Sequence, residues 1–244
     1  MRFDICTACQ KVWHKHLDES YLDMIKSKYG RRLITLDEYT DDIANHFTSF
    51  FRKKTLLEQA FSQEFISTQF GNKKIEILSV WCSYGQEVYV IAHYLSKFLR
   101  NYNILGIDFS KKCINHAKRW IFRWESHDKE KTIKTFKDFF WDNVIFDSQN
   151  STIEFRDHIK SKICFDTQDA IVFNPKLEDK FDIIICYNMV LHLTPQSAKN
   201  VSDNIYSYAK KWSVILVDHW PLFQKTLWLK YKNYRDIAFL EKNI

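Results

Sequence analysis

Apolar residues in this chain fall into short unbroken runs that alternate with longer stretches in which they recur at spacings of three and four. The run Ile75-Glu-Ile-Leu-Ser-Val80 predicts a buried strand, and Trp81-Cys-Ser-Tyr-Gly85 turns it into a helix at 86–99, with Val88, Ile91, Ala92 and Leu95 on one face. A second short strand at 103–108 ends in Asp108 and leads into a predicted helix over 110–124. Ile163-Cys-Phe165 predicts a third strand running towards Asp169. Phe181-Asp-Ile-Ile-Ile-Cys186 predicts a fourth, apolar and β-branched throughout, as a central parallel strand should be. Thr194-Pro195 opens a helix to about 211 with proline at its first position, a fifth strand follows at 212–217, and the tail reads as a closing helix or hairpin.

Before the first strand the periodicity is helical. Val12, Trp13, Leu17, Leu22 and Ile25 mark one amphipathic segment, Thr35-Leu-Asp-Glu38 is a capping box opening another, and a third helix is predicted over 55–70. Residues 126–137 are charged and weakly patterned, and 139–163 holds short alternating runs that fit a small antiparallel excursion. Strands alternating with helices define an α/β chain with a doubly wound, mostly parallel sheet and a helical part at its amino-terminal side.

In such a sheet, ligands sit at the carboxyl ends of the strands, where a helix amino terminus presents free N–H groups. The corner at Gly85 is therefore a candidate nucleotide site, and Asp108 follows about twenty residues later, the spacing at which these folds place a carboxylate on ribose hydroxyls. Only four glycines and three prolines occur in 244 residues, so each glycine carries more weight. A net charge of +6 favours acidic partners, but the basic residues are dispersed and form no stripe with interleaved aromatics, so no nucleic acid is expected. No signal segment and no apolar run of about 20 residues is present, so no membrane insertion is expected and the cytoplasm is the expected location. Cys82, Cys113, Cys164 and Cys186 lie in or beside strand and helix patterns, as buried thiols do. Cys6 and Cys9 with His14 and His16 are too crowded for a metal site, and no metal is expected.

Several segments, in order, resemble the CheR family of chemotaxis-receptor glutamate methyltransferases. They are Arg31-Arg-Leu33, Leu36-Asp-Glu-Tyr39, Thr48-Ser-Phe-Phe-Arg52, Cys82-Ser-Tyr-Gly-Gln-Glu87, residues 104–108 with Ala117-Lys118, the run from Phe181 through Asn188, and residues 215–219. Thr-x-Phe-Phe-Arg is the most specific of them, since a generic methyltransferase lacks it. The resemblance implies a class I, Rossmann-like methyltransferase domain at 53–244, preceded by a small helical domain at 1–52 and carrying an inserted β-subdomain at about 139–162. It implies S-adenosyl-L-methionine as methyl donor, S-adenosyl-L-homocysteine as product, and glutamate side chains of an acidic, helical, chemoreceptor-like protein as acceptor, with the enzyme a monomer.

By the same resemblance, Thr48 and Arg52 reach the methionyl end of the cofactor, Glu87 its amino group, Asp108 the ribose and Asp169 the adenine. Asn188 stands at the mouth of the site, and Arg52 and His192 are the candidate catalytic side chains. Gly85 and Trp81 belong to the cofactor corner. The chain departs from the family at Trp81, where a small residue is usual, and at Tyr187 and His192, where arginine and tyrosine stand. Two further readings stay open: a non-catalytic binding module of the same family, and a same-fold methyltransferase with another acceptor.

Overall fold

The structure is a computed structural model that describes residues 50, 54–123, 129–187, 189, 193–217, 229–234 and 237–242. The expected domain at 1–52 lies, but for Phe50, outside the described residues, as do the basic cluster Lys26, Lys28, Arg31 and Arg32 and the closely spaced Cys6, Cys9, His14 and His16.

Each aliphatic run becomes a strand of one sheet. Strands β1 (Ile75–Val80), β2 (Tyr102–Asp108), β6 (Ile163–Thr167), β7 (Phe181–Cys186) and β8 (Ala209–Val217) run parallel in the order β6-β2-β1-β7-β8. The tail forms the hairpin β9 (Leu229–Tyr234) and β10 (Ile237–Lys242), and β10 pairs antiparallel with β8. The expected doubly wound, mostly parallel sheet is thus present, closed at one edge by an antiparallel ribbon.

Alternation along the strands explains why so little of them is polar. Ile77, Ile183, Ile185, Val214 and Leu216 enter the apolar cluster on one face of the sheet, while Leu78, Val80, Ile184, Cys186 and Ile215 enter the cluster on the other. Both faces are covered, so neither set of side chains meets water. The first face is covered by α2 (Gln63–Phe70) and α3 (Gln86–Ser96), and the second by α7 (Pro195–Tyr208), whose Thr194 hydroxyl accepts from the Ser197 N–H with Pro195 in the first turn.

Several elements differ from the periodicity. The helix expected over 55–70 is two, α1 (Lys54–Ala60) and α2, because Ser62 breaks the run and caps α2 through its hydroxyl to the Phe65 N–H. The helix expected over 110–124 stops early as α4 (Lys111–Ala117), and Ile121–Arg123 is instead strand β3. The weakly patterned charged stretch is the helix α5 (Lys129–Phe140). Strands β3, β5 (Thr152–Phe155) and β4 (Val144–Asp147) make a separate three-stranded antiparallel sheet in that order, followed by a single turn of helix, α6 (Asp157–Lys160). Cys82, Cys113 and Cys186 are buried as expected, but Cys164 is exposed because β6 is the edge of the main sheet.

Candidate functional site

The corner after β1 is built from backbone in an uncommon conformation. Trp81, Ser83 and Gly85 have φ of 60°, 51° and 84°, so three alternate residues occupy left-handed space that costs a non-glycine residue roughly 1–2 kcal/mol. The sequence places the turn at residues 81–85 but marks neither Trp81 nor Ser83 as left-handed. Such strain in a ligand-facing turn persists only where the surroundings over-determine it.

Here the determinants are visible. The Cys82 N–H donates to the Ile107 carbonyl of β2, the Ser83 N–H donates to the Asp108 carboxylate at 2.9 Å, and the Gly85 N–H returns to the Cys82 carbonyl. Gly85 is also a packing requirement. A Cβ there would lie 2.7 Å from the Phe165 ring, and the same ring would meet a Cβ at Gly106 at 2.7 Å. Phe165, on β6, occupies the space beneath both glycines.

Asp108, at the carboxyl end of β2, is 2 % exposed. Its two oxygens accept from the Ser83 and Ser110 N–H groups, both at 2.9 Å, which leaves one further acceptor direction on each. Burial pushes its pKa up to about 7, against the lowering effect of those two hydrogen bonds. Next to it, burial and then the Asp108 charge hold the Cys82 thiol well above its ordinary range, so Cys82 is packing and not a nucleophile.

Glu87 lies in the first turn of α3 and accepts from the Ser79 hydroxyl of β1 at 3.0 Å, which fixes the carboxylate over the strand it follows. Asp169, in the loop after β6, accepts from the Ile171 N–H at 2.9 Å. That loop is tied to β2, since the Gln168 N–H donates to the Asp108 carbonyl, and to α7, since Asn204 donates to the Ala170 carbonyl at 2.9 Å. Asp108, Glu87, Gly85 and Asp169 are therefore gathered at the carboxyl ends of three adjacent strands.

The Trp81 indole packs with Phe109 at a centroid distance of 6.3 Å, beside the apolar cluster that includes Ile107, Ala170 and Ile171. Tyr187, a departure from the family pattern, is buried within the opposite cluster and acts as core. Thr48, Arg52, Asn188 and His192 lie outside the described residues.

Two features were not anticipated. The Ser83 hydroxyl is buried and has no partner among the described residues, although it sits beside Asp108 in the strained turn. No residue pattern announces it, since its signal is only its backbone angle and its missing hydrogen bond. A cavity of ≈ 350 Å³ opens on the outer side of α4, lined by Tyr84, Lys111, Lys112, Asn115, His116 and Arg119. It contains none of the expected cofactor residues; its wall is the Tyr84 ring stacked on His116 at 4.4 Å.

A glycine corner after the first strand, a carboxylate closing the second and a sheet bound by an antiparallel hairpin define a doubly wound protein that holds a nucleoside at its carboxyl edge. Residues 46–233 match the family model described as CheR methyltransferase, SAM binding domain. The chain belongs to the CheR methyltransferase family. It is similar to the chemotaxis protein methyltransferase of Borreliella burgdorferi, 23% identical over 82% of this chain and 71% of the relative. A chemotaxis protein methyltransferase of Campylobacter jejuni is 25% identical over 86% of this chain and 75% of its own length. Among solved structures, a TehB-like SAM-dependent methyltransferase from Corynebacterium glutamicum covers 84% of this chain and 98% of its own, at 14% identity and a TM-score of 0.48.

The protein is an S-adenosylmethionine-dependent methyltransferase, and the residues present fit the cofactor. Asp108 retains acceptor capacity for two ribose hydroxyls, and the Ser83 hydroxyl, which has no partner among the described residues, belongs to the same turn. Among the described residues no helix is long and apolar enough to cross a membrane.

Proposed function

We propose that this methyltransferase esterifies glutamate side chains of a chemoreceptor-like protein. The observation that carries the proposal is the match to the CheR family across residues 46–233, a span that includes the Thr48-Ser-Phe-Phe-Arg52 motif together with the acids of the corner. When bound, S-adenosylmethionine supplies a methyl group on a sulfonium, with a neutral thioether as leaving group.

A glutamate side chain is already ionised at neutral pH, so methyl transfer to it needs in-line placement and no general base. Agreement with this comes from the corner itself, where the carboxylates are engaged as acceptors and no acid–base pair is assembled among the described residues. Asp108 binds the ribose, Glu87 the amino group and Asp169 the adenine side, with Gly85 and Trp81 shaping the corner. Thr48 and Arg52 hold the methionyl carboxylate, for which a guanidinium fork suits both oxygens. Asn188 and His192 face the acceptor. The basic cluster Lys26, Lys28, Arg31 and Arg32 attracts an acidic target helix. The enzyme works as a cytoplasmic monomer.

Transfer of labelled methyl groups to a receptor cytoplasmic fragment tests the acceptor. Base-labile label recovered as methanol is the expected result, because a carboxyl ester hydrolyses in alkali and an N-methyl group does not. Base-stable label would replace glutamate with another acceptor. Binding of S-adenosylhomocysteine by calorimetry without any transfer would instead favour the non-catalytic module, which the departures at Trp81, Tyr187 and His192 motivate.

A further inference from the structure

Phe50 is the first phenylalanine of the Thr48-Ser-Phe-Phe-Arg52 motif, and its side chain is 8% exposed. Its ring meets Phe122, Phe136 and Phe140 edge-on, at centroid distances of 4.9, 5.3 and 5.4 Å, and lies tilted against Phe155 at 6.0 Å. Phe122 and Phe155 belong to the three-stranded sheet, and Phe136 and Phe140 to α5, so none of the four comes from the main sheet. Three edge-to-face contacts on one ring fix its orientation as well as its burial, which a generic aliphatic side chain would not require.

The cage continues into the cofactor corner. Tyr89 of α3 stacks on Phe155 at 4.3 Å and 17°, and its hydroxyl donates to the Ala117 carbonyl at 2.6 Å. On its other side Tyr89 lies 5.8 Å from Phe165, the ring that fills the space under Gly85 and Gly106. A continuous path of rings therefore joins Phe50 to the backbone of the strained turn.

We propose that Phe50 is a positioning residue for methyl transfer. The inserted three-stranded sheet and α5 grip the motif by this ring, and so register the segment that carries Thr48 and Arg52 against the frame that supports Gly85 and Asp108. Cofactor affinity then depends on a sheet that contributes no residue to the corner. The proposal rests on the reading in which Arg52 meets the cofactor, and extends it by naming what holds Arg52 there. Displacement of a positioning segment by about 1 Å is enough to cost on the order of 10²-fold.

Calorimetric titration of S-adenosylhomocysteine into Phe50→Ala, Phe50→Leu, Arg52→Ala and the Phe50→Ala/Arg52→Ala double variant tests this. Phe50→Ala is expected to weaken binding by ~10-fold or more, Phe50→Leu, which fills the cage without its edge-to-face contacts, falls between Phe50→Ala and wild type, and in the Arg52→Ala background the alanine adds less than ~2-fold. A Phe50→Ala protein that melts earlier but binds with wild-type affinity overturns the proposal, and so does full additivity in the double variant. Wild-type affinity in Arg52→Ala withdraws the role of Arg52 alone, leaving the Phe50→Ala result to decide the anchor. If Phe50→Ala does not fold, Phe136→Ala opens the same cage from α5 and is held to the same two criteria.

Discussion

Asp108 is both a buried acid and the expected ribose ligand, and these roles pull its proton in opposite directions. Its folded pKa of about 7 lies above the ordinary 3.8, so the folded state binds the proton more tightly. The stability this contributes is fully present below pH 3.8 and is lost as pH rises through about 7. Asp108→Asn should therefore gain on wild type in thermal unfolding as pH rises from 4 to 8, and a constant difference across that range would refute the assignment. Ligand affinity should run the other way, because an ionised carboxylate is the stronger acceptor for ribose hydroxyls. The dissociation constant of S-adenosylhomocysteine is expected to rise as pH falls below about 7, by up to about tenfold per unit, and Asp108→Asn should bind weakly with no such slope. Asp108 was readable in the sequence from its spacing after the glycine corner, and Glu87 from the family resemblance of the corner motif. Ser83 was not, because a strained angle and an unused hydroxyl leave no mark on residue type.

The three-stranded sheet is joined to the main domain by polar contacts as well as rings. His93 of α3 is buried, its Nδ1 accepts from the Asn143 amide at 2.7 Å, and the same amide donates to the Ser96 hydroxyl. The Asn143 side-chain oxygen, Oδ1, in turn accepts from His158 Nε2 of α6 at 2.8 Å. Burial, then the Lys97 charge, lowers the His93 pKa to about 3. Because the unfolded chain binds that proton near pH 6.5, stability is lost as pH falls from 6.5 towards 3, and His93→Gln should flatten this acid limb in denaturation curves. Asn143→Ala should cost ~1–3 kcal/mol and speed amide exchange in β4 more than in β1. Strands such as Phe181–Cys186 could be read without tertiary information because nearly every position in them is apolar. The helix α5 could not be. Its apolar positions are separated by charges, and the packing that fixes it comes from Phe50, Phe122 and Phe155, which are remote in sequence.

Across the molecule, the ligand edge of the sheet carries the strain and the opposite edge is fastened. Asp182, 2% exposed at the start of β7, accepts from Lys73, from the Glu76 N–H of β1 and from Lys210 of β8, at 2.9, 3.0 and 2.8 Å. Burial would raise its pKa, but the Glu76 N–H and the two ammonium groups outweigh burial and hold it below its usual range. Asp182→Ala should cost about 2–4 kcal/mol in chemical denaturation, leave cofactor affinity of the folded protein intact, and remove a contribution that wild type loses only as pH falls below 3.8. The parallel core was readable at this scale from the order of strands and helices, whereas the pairing of remote charges such as Lys73 and Asp182 depends on which strands become neighbours. Phe165 has a consequence for how such a chain can drift over generations. Two of its four glycines stand against one ring, so neither Gly85 nor Gly106 can gain a side chain while Phe165 keeps its size, and a change at Phe165 has to come before one at Gly106. A suppressor screen begun from Gly106→Ala should return smaller side chains at Phe165.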